Sequence, residues 1–275
     1  MRPTILYLSA FALLLFASCN GIAKIQKSTD FEYKLRKADE FFEKKKYRFA
    51  QQLYEELFPV FKGTQKFEDL YYKYAYCFYY QRMYRDAEQL FQGYLEVFPN
   101  SVHAEEIDFM RAYSYYKISP RLELEQVSTL RAMSMLQSFI NSHPSSTRVT
   151  EATAIMDELR QKLEKKEFRT AELYYRMGEY RASSIAFAQL LNNYPESASG
   201  EMYKLMVVRS CYRFAKMSIQ EKQEERFEKV VTEYLDFVDR YPDSLLLTEA
   251  ETLSNQSKQQ INNIKNEQIT SSSKP

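Results

Sequence analysis

Apolar positions along this chain recur in step with four prolines, Pro99, Pro144, Pro195 and Pro242. Twelve residues before each stands Ala87, Ala132, Ser183 or Val230. Eight before stands Phe91, Leu136, Phe187 or Tyr234, and five before stands Tyr94, Phe139, Leu190 or Phe237. A compact residue followed by bulky apolar residues four and seven positions on is one face of a helix. Proline cannot continue that helix, because it lacks the N–H and crowds the preceding turn. A serine follows two residues after each proline, at Ser101, Ser146, Ser197 and Ser244. Its hydroxyl suits it to accept a backbone N–H where the next helix starts. Each x-x-Pro-x-Ser therefore reads as a joint between two helices.

A second helix precedes each of these. Ala38, Ala75 and Ala171 lie twelve residues before Ala50, Ala87 and Ser183, while Ala112 and Ser210 lie twenty before Ala132 and Val230. Two repeats are thus expected to share an eight-residue insertion. An aromatic residue follows three positions after four of these small residues, in the pairs Ala38/Phe41, Ala75/Phe78, Ala112/Tyr115 and Ala171/Tyr174; Ser210 has Arg213 instead. The spacing resembles the tetratricopeptide repeat, whose helix–turn–helix units place small residues where two helices touch. The expected fold is all-α: a tetratricopeptide-repeat solenoid of five helix pairs plus a C-terminal capping helix. Repeats 1–3 fall in residues 30–145, a long helix with repeats 4–5 in 146–244, the capping helix in 245–269 and a disordered tail in 270–275. The first repeat is the weakest match, since Pro59 comes early and Lys62 stands where Pro is expected. No Gly or Pro interrupts Thr147 to Met177, so one helix about 45 Å long is expected to join two stacked halves.

Composition agrees with helices. The 275 residues include only five Gly and eight Pro, too few turn residues for a β-rich fold of this size. Net charge is +1, which gives no field for nucleic acid, and no nucleic-acid partner is expected. The aromatic content is unusual: 23 Tyr, 19 Phe and no Trp.

The start of the chain is a separate device. Met1-Arg2 precedes an apolar run from Ile5 to Ala17, shorter than the roughly 20 residues a spanning helix needs. It has the form of a signal peptide, residues 1–18, ending in Phe16-Ala17-Ser18 before Cys19. Small residues just before a Cys resemble the lipobox of bacterial lipoproteins, with Phe16 where Leu is commoner. Cys19 is therefore the expected lipid-attachment site, residues 19–29 a tether, and the outer membrane, periplasmic face, the expected location. Two or three acyl chains hold such a protein firmly to a membrane. Cys77 and Cys211 lie in non-adjacent repeats. An oxidising compartment allows a disulfide, but two small buried thiols are the favoured reading.

No constellation of residues points to catalysis. The only histidines, His103 and His143, stand near joints and away from any Cys pair, so no metal is expected. No phosphate-binding Gly loop or nucleophile motif occurs, and no cofactor is expected. Runs such as Glu43-Lys44-Lys45-Lys46 read as solvated helix faces. Protein binding, not enzymatic activity, is the expected function. In this repeat type the first helix of each pair lines the inner face. The positions at −3, +1 and +4 from Ala75 and Ala112 are Tyr72, Tyr76, Tyr79 and Phe109, Tyr113, Tyr116. From Ala38 the same offsets give Leu35, Asp39 and Phe42. The aromatic excess thus falls partly on a candidate groove for an extended peptide rich in aromatic and aliphatic residues, or else packs between helices.

LEKKEFRTAELYYRMGEYRASSIAFAQLLNNYPES, Leu163–Ser197, is the most specific stretch. With its Tyr-Tyr pair, Gly turn, small-residue cluster and Tyr-Pro end, it resembles the fourth repeat of the BamD family. Those are lipoprotein subunits of the machinery that folds β-barrels into the bacterial outer membrane. The resemblance covers Cys19 to about Ser244. It implies that the N-terminal repeats receive the C-terminal signals of unfolded β-barrel proteins. It also implies that the C-terminal repeats dock the periplasmic domains of the central barrel subunit. The family often has Arg nine residues before the fourth-repeat Pro; here that position is Ala186, with Gln189 and Asn193 on the neighbouring face. The alternative is a repeat lipoprotein that organises other envelope or cell-wall proteins.

Overall fold

The computed structural model describes residues 20–272. The expected signal peptide and Cys19 lie outside the described residues. A short helix, α1 (Asn20–Gln26), is followed by α2 (Phe31–Glu43) and α3 (Tyr47–Phe61), then α4 (Phe67–Tyr80) and α5 (Tyr84–Val97), then α6 (Ala104–Lys117) and α7 (Val127–Ser142). The long helix α8 (Val149–Arg176) precedes α9 (Tyr180–Asn193), α10 (Gly200–Lys216), α11 (Gln220–Arg240) and α12 (Leu247–Ser272). No strand occurs among the described residues. The pairs α2/α3, α4/α5, α6/α7, α8/α9 and α10/α11 are the five helical hairpins of a tetratricopeptide-repeat fold, and α12 packs on α11 after the last. The chain divides into one compact unit ending at Leu159 and a second beginning at Arg160.

Side-chain volume explains why the hairpins nest. Ala38, Ala50, Ala75, Ala87, Ala112, Ala132, Ala171, Ser183, Ser210 and Val230 are all completely inaccessible to solvent. A small side chain at each contact lets two helix backbones approach, and bulky neighbours fill the remaining holes. In the first unit those neighbours include Tyr54, Leu57, Phe91, Tyr94, Leu136 and Phe139. In the second, Phe187 and Leu190 belong to one cluster and Phe237 to another. Tyr234 departs from the pattern and is only half-buried.

The four joints share one backbone form. The residues before the prolines, Phe98, His143, Tyr194 and Tyr241, have φ of −126, −128, −132 and −135° and ψ of 61, 57, 62 and 60°. Each leaves the α region, as the residue before a proline must, while its N–H still bonds the carbonyl four residues back. The serines act one step earlier than a helix cap would. Ser101, Ser146, Ser197 and Ser244 accept the N–H of His103, Arg148, Ser199 and Leu246, two residues on and still ahead of the helix. The same hydroxyls donate to Glu68, Glu105, Glu164 and Glu201 on the first helix of their own repeat.

The turns inside the hairpins obey a second rule. Lys45 (φ 55°), Arg82 (φ 63°) and Gly178 (φ 83°) each stand seven residues after the small position and adopt left-handed backbone. The following N–H groups of Lys46, Met83 and Glu179 reach back five residues to Phe41, Phe78 and Tyr174. This is the Schellman helix ending.

The two expected eight-residue insertions take different forms. In the third repeat most of the extra length is a loop, Ile118 to Gln126, started where Pro120 prevents α6 from continuing. In the fifth it lengthens the helices, α10 to 17 residues and α11 to 21. Glu201 lies nine residues before Ser210 but seven before Val208, which is equally inaccessible. The first helix of the fifth repeat therefore presents Val208 in the register that Ala75 and Ala112 hold elsewhere. The free thiols Cys77 and Cys211 are both buried, one in each unit.

Candidate functional site

The first helices of repeats 1–3 carry a continuous set of aromatic rings. On α4, Tyr72 meets Tyr76 at 4.7 Å between ring centroids, and Tyr76 meets Tyr79 at 6.2 Å. Tyr79 meets Tyr113 of α6 at 6.4 Å, and Tyr113 meets Tyr116 at 5.5 Å. Phe109 stacks under Tyr113 at 5.6 Å. These residues share a face because they recur at three- and four-residue intervals on two neighbouring helices.

The six expected groove residues occupy two levels. Tyr76 and Phe109 are buried, at 4% and 1% exposure, and form the floor. Tyr72, Tyr79, Tyr113 and Tyr116 are partly exposed and form the surface. On α2, Leu35 is buried as well, while Asp39 and Phe42 are partly exposed. The floor arises because Phe91 of α5 packs at 5.3 Å on Tyr76, and Phe139 of α7 at 5.4 Å on Phe109. Helical offset gives a residue's face, whereas its depth depends on what the second helix of the pair places behind it. Offsets of −3, +1 and +4 also missed Tyr80, at 46% exposure, which stacks on Tyr47 at 4.5 Å and extends the face toward α2.

Polar groups edge the rings. Tyr76 donates to Glu106 at 2.6 Å, and Tyr72 shares the same carboxylate at 3.2 Å. Burial, with the Glu106 charge second, pushes the Tyr72 phenol up to about 12, and burial raises Tyr76 further. Tyr116 donates to Glu158 at 2.7 Å, a bond that lifts its phenol to about 12. Burial raises Tyr79 to about 12. All four phenols are therefore neutral hydrogen-bond donors across the physiological range. Lys73 of α4 bridges Asp39 of α2 at 2.9 Å and Asp69 of its own helix at 2.7 Å. An array of neutral phenols over an apolar floor binds flat or branched side chains and offers hydrogen bonds at its rim. It holds no nucleophile–base pair. Among the described residues no group of His, Cys, Asp or Glu could hold a metal ion.

The residues expected at a partner-docking face lie on α9. Ala186 is partly buried and packs against the second unit's core, whereas Gln189 and Asn193 are exposed. Asn193 is already engaged, donating to Glu167 at 3.0 Å and accepting from Arg160 at 3.3 Å through its carbonyl. A separate open cavity of about 590 Å³ is lined by Arg181, Ser184 and Ile185 of α9, Cys211 and Phe214 of α10, and both cations and acids of α11, Lys222, Arg226 and Lys229 with Glu225 and Glu228.

A family model described as an outer membrane lipoprotein, YfiO, matches residues 32–230. No curated protein matches the sequence. Among solved structures, the TPR2AB-domain:pHSP90 complex of yeast Sti1 is similar at 10% identity, covering 83% of this chain and 98% of that one, with a TM-score of 0.39. The TPR domain of P58(IPK) is similar at 14% identity, covering 92% and 69%, with a TM-score of 0.41. A TPR repeats protein from Bacteroides fragilis is similar at 14% identity, covering 85% and 100%, with a TM-score of 0.36. No helix of the described residues is long and apolar enough to cross a membrane.

Proposed function

Because the chain belongs to the YfiO family of outer membrane lipoproteins, we propose that it is a scaffold subunit of the machinery that assembles β-barrel proteins. It is held to the outer membrane by acyl chains on Cys19 and faces the periplasm. Its first unit receives the aromatic-ended C-terminal segments of unfolded barrel proteins. Its second unit docks the periplasmic domains of the central barrel subunit. The observation that carries this reading is the ladder of half-exposed tyrosines, Tyr72, Tyr79, Tyr113 and Tyr116, running across two hairpins. An extended chain presents alternate side chains to one face at about 6.6 Å intervals. The spacing of 6.4 Å from Tyr79 to Tyr113 is close to that period, and that of 5.5 Å from Tyr113 to Tyr116 is shorter.

The docking face lacks the arginine that such proteins often carry at the Ala186 position.

Depletion of the protein tests the proposal. Barrel proteins should disappear from the outer membrane, and pull-down through the mature chain should recover a large barrel subunit with repeated periplasmic domains. Normal barrel levels after depletion would instead support a scaffold for other envelope or cell-wall proteins. A Tyr79→Ala, Tyr113→Ala, Tyr116→Ala variant should lose about 0.5–1.5 kcal/mol of peptide affinity per aromatic contact. These positions are preferred to Tyr76, whose removal would open the core.

A further inference from the structure

The aromatic face carries opposite charges at the two ends of one helix. Glu106, Tyr113, Tyr116 and Lys117 lie on α6 at relative positions 0, 7, 10 and 11, one stripe at 3.6 residues per turn. Glu106 is in the first turn of α6 and Lys117 is its last residue. Eleven residues at 1.5 Å each separate them by about 16 Å along the helix.

Neither charge is neutralised by an opposite one in the way its counterparts are. Six residues before the small position, repeats 1–3 carry Glu32, Asp69 and Glu106. Glu32 pairs with Lys66 at 2.6 Å and Asp69 with Lys73 at 2.7 Å. Glu106 instead accepts the phenols of Tyr72 and Tyr76, with His103 at 3.8 Å, and has no Lys or Arg partner among the described residues. Lys117 has no carboxylate partner among the described residues. Its ammonium lies 4.7 Å from the Tyr113 centroid and 5.4 Å from that of Tyr116, exposed to solvent. Glu158, the nearest acid to this ring pair in the hydrogen-bond network, is held by the Tyr116 phenol.

We propose that this stripe sets the direction of a bound peptide, with the terminal carboxylate at Lys117 and the chain running toward Glu106. The inference rests on the reading of this face as a site for C-terminal segments. A stretch of about 16 Å accommodates roughly five residues of extended chain at 3.3 Å each. The last aromatic side chain then lies against Tyr113 and Tyr116, and its carboxylate meets the ammonium poised above those rings. The reversed peptide would bring its carboxylate beside Glu106, where like charges repel. Complementary charges of this kind fix register and reject wrong orientations.

The test is fluorescence anisotropy with the full-length protein in detergent. The probe is a ten-residue peptide of alternating aromatic and aliphatic residues ending in Phe, made as the free acid and as the C-terminal amide. The acid should bind about tenfold more tightly, the ratio expected for one charge-assisted contact. Lys117→Gln should lower affinity for the acid to that for the amide and leave the amide unchanged, and Lys117→Arg should keep the preference. Equal binding of acid and amide by the unmodified protein would overturn the orientation while leaving the groove reading intact. So would a Lys117→Gln variant that weakened both peptides equally. Binding of neither peptide would overturn both readings.

Discussion

Ser101 donates a 2.5 Å hydrogen bond to Glu68 across an entire helical hairpin, from the joint that ends the second repeat to the first turn of α4 that begins it. Ser146 and Glu105 repeat the contact at 2.5 Å, Ser244 and Glu201 at 2.6 Å, and Ser197 and Glu164 complete the set. The serine after each proline therefore clamps its own repeat shut while its Oγ orders the turn into the next. Tyr94 strengthens the second-repeat clamp by bonding Ser101 at 2.8 Å and Glu68 at 3.1 Å.

A double-mutant cycle measures this clamp. Ser101→Ala and Glu68→Ala should each destabilise the fold by about 1.5–3 kcal/mol, the range for hydrogen bonds to a charged group. The double variant should lose little more than either alone. Additive losses in urea unfolding would show that the two side chains do not act together.

Left-handed backbone at Lys45 and Arg82 carries a steric penalty that Gly178 avoids. Lys45→Gly and Arg82→Gly should each stabilise the protein by roughly 0.5–1 kcal/mol, the relief of strain less the added freedom of the unfolded chain. Gly178→Ala should destabilise by about 1 kcal/mol. Thermal denaturation of the three variants checks this, and a drop in midpoint for Arg82→Gly would refute it.

Lys204 is 3% exposed and bonds both Glu233 and Asp236. Burial pushes both carboxyls up, but the hydrogen bonds from Lys204, with Lys229 to the first and Arg240 to the second, outweigh it and hold both below their usual range. Arg209 likewise lowers Glu249 through two 2.5 Å bonds. A folded-state value below the unfolded one contributes stability above about pH 4, and that stability is lost as pH falls through the folded values. Stability should therefore fall as pH drops below about 4. Lys204→Met should lose about 3 kcal/mol at pH 7, the lower end for breaking a buried pair, because each carboxylate keeps a second cation. The variant should also show a shallower acid dependence in urea unfolding; an unchanged slope would remove Lys204 from the account.

Gly93 lies against the phenol of Tyr71, so close that a Cβ there would overlap the hydroxyl. Tyr71 cannot easily retreat, with Phe58 at 4.8 Å and Tyr94 at 5.7 Å around it. Gly93→Ala should destabilise the first unit by about 1–3 kcal/mol despite alanine's better helix propensity. Tyr71→Phe should restore most of the loss. Failure of that rescue in chemical denaturation would place the strain elsewhere.

The repeat was legible because it is written in side-chain volume at fixed spacing. The small residues of the pattern, from Ala38 to Val230, are all inaccessible in the structure. A serine after each proline is legible as a joint residue, but its carboxylate partner is not, since Glu68 and Ser101 are 33 residues apart and meet only when the hairpin closes. The aromatic face was legible as a face. Its division into floor and surface was not, because Phe91 and Phe139 approach from the second helices to cover Tyr76 and Phe109.

The sequence by itself determined the helix-pair repeat, the joints at the four prolines and the small residues that lie where helices touch, and it spells out no reactive cluster in local motifs. Those properties follow from helical period, proline stereochemistry and residue size, all of which act over a few residues. Tertiary structure alone decided that Glu106 gathers two phenols while Lys117 rests uncompensated over two rings. It alone decided that Val208 takes the register expected of Ser210, and that one insertion became a loop and the other longer helices. Those outcomes depend on which neighbouring hairpin supplies the opposing surface, and no short-range pattern carries that information.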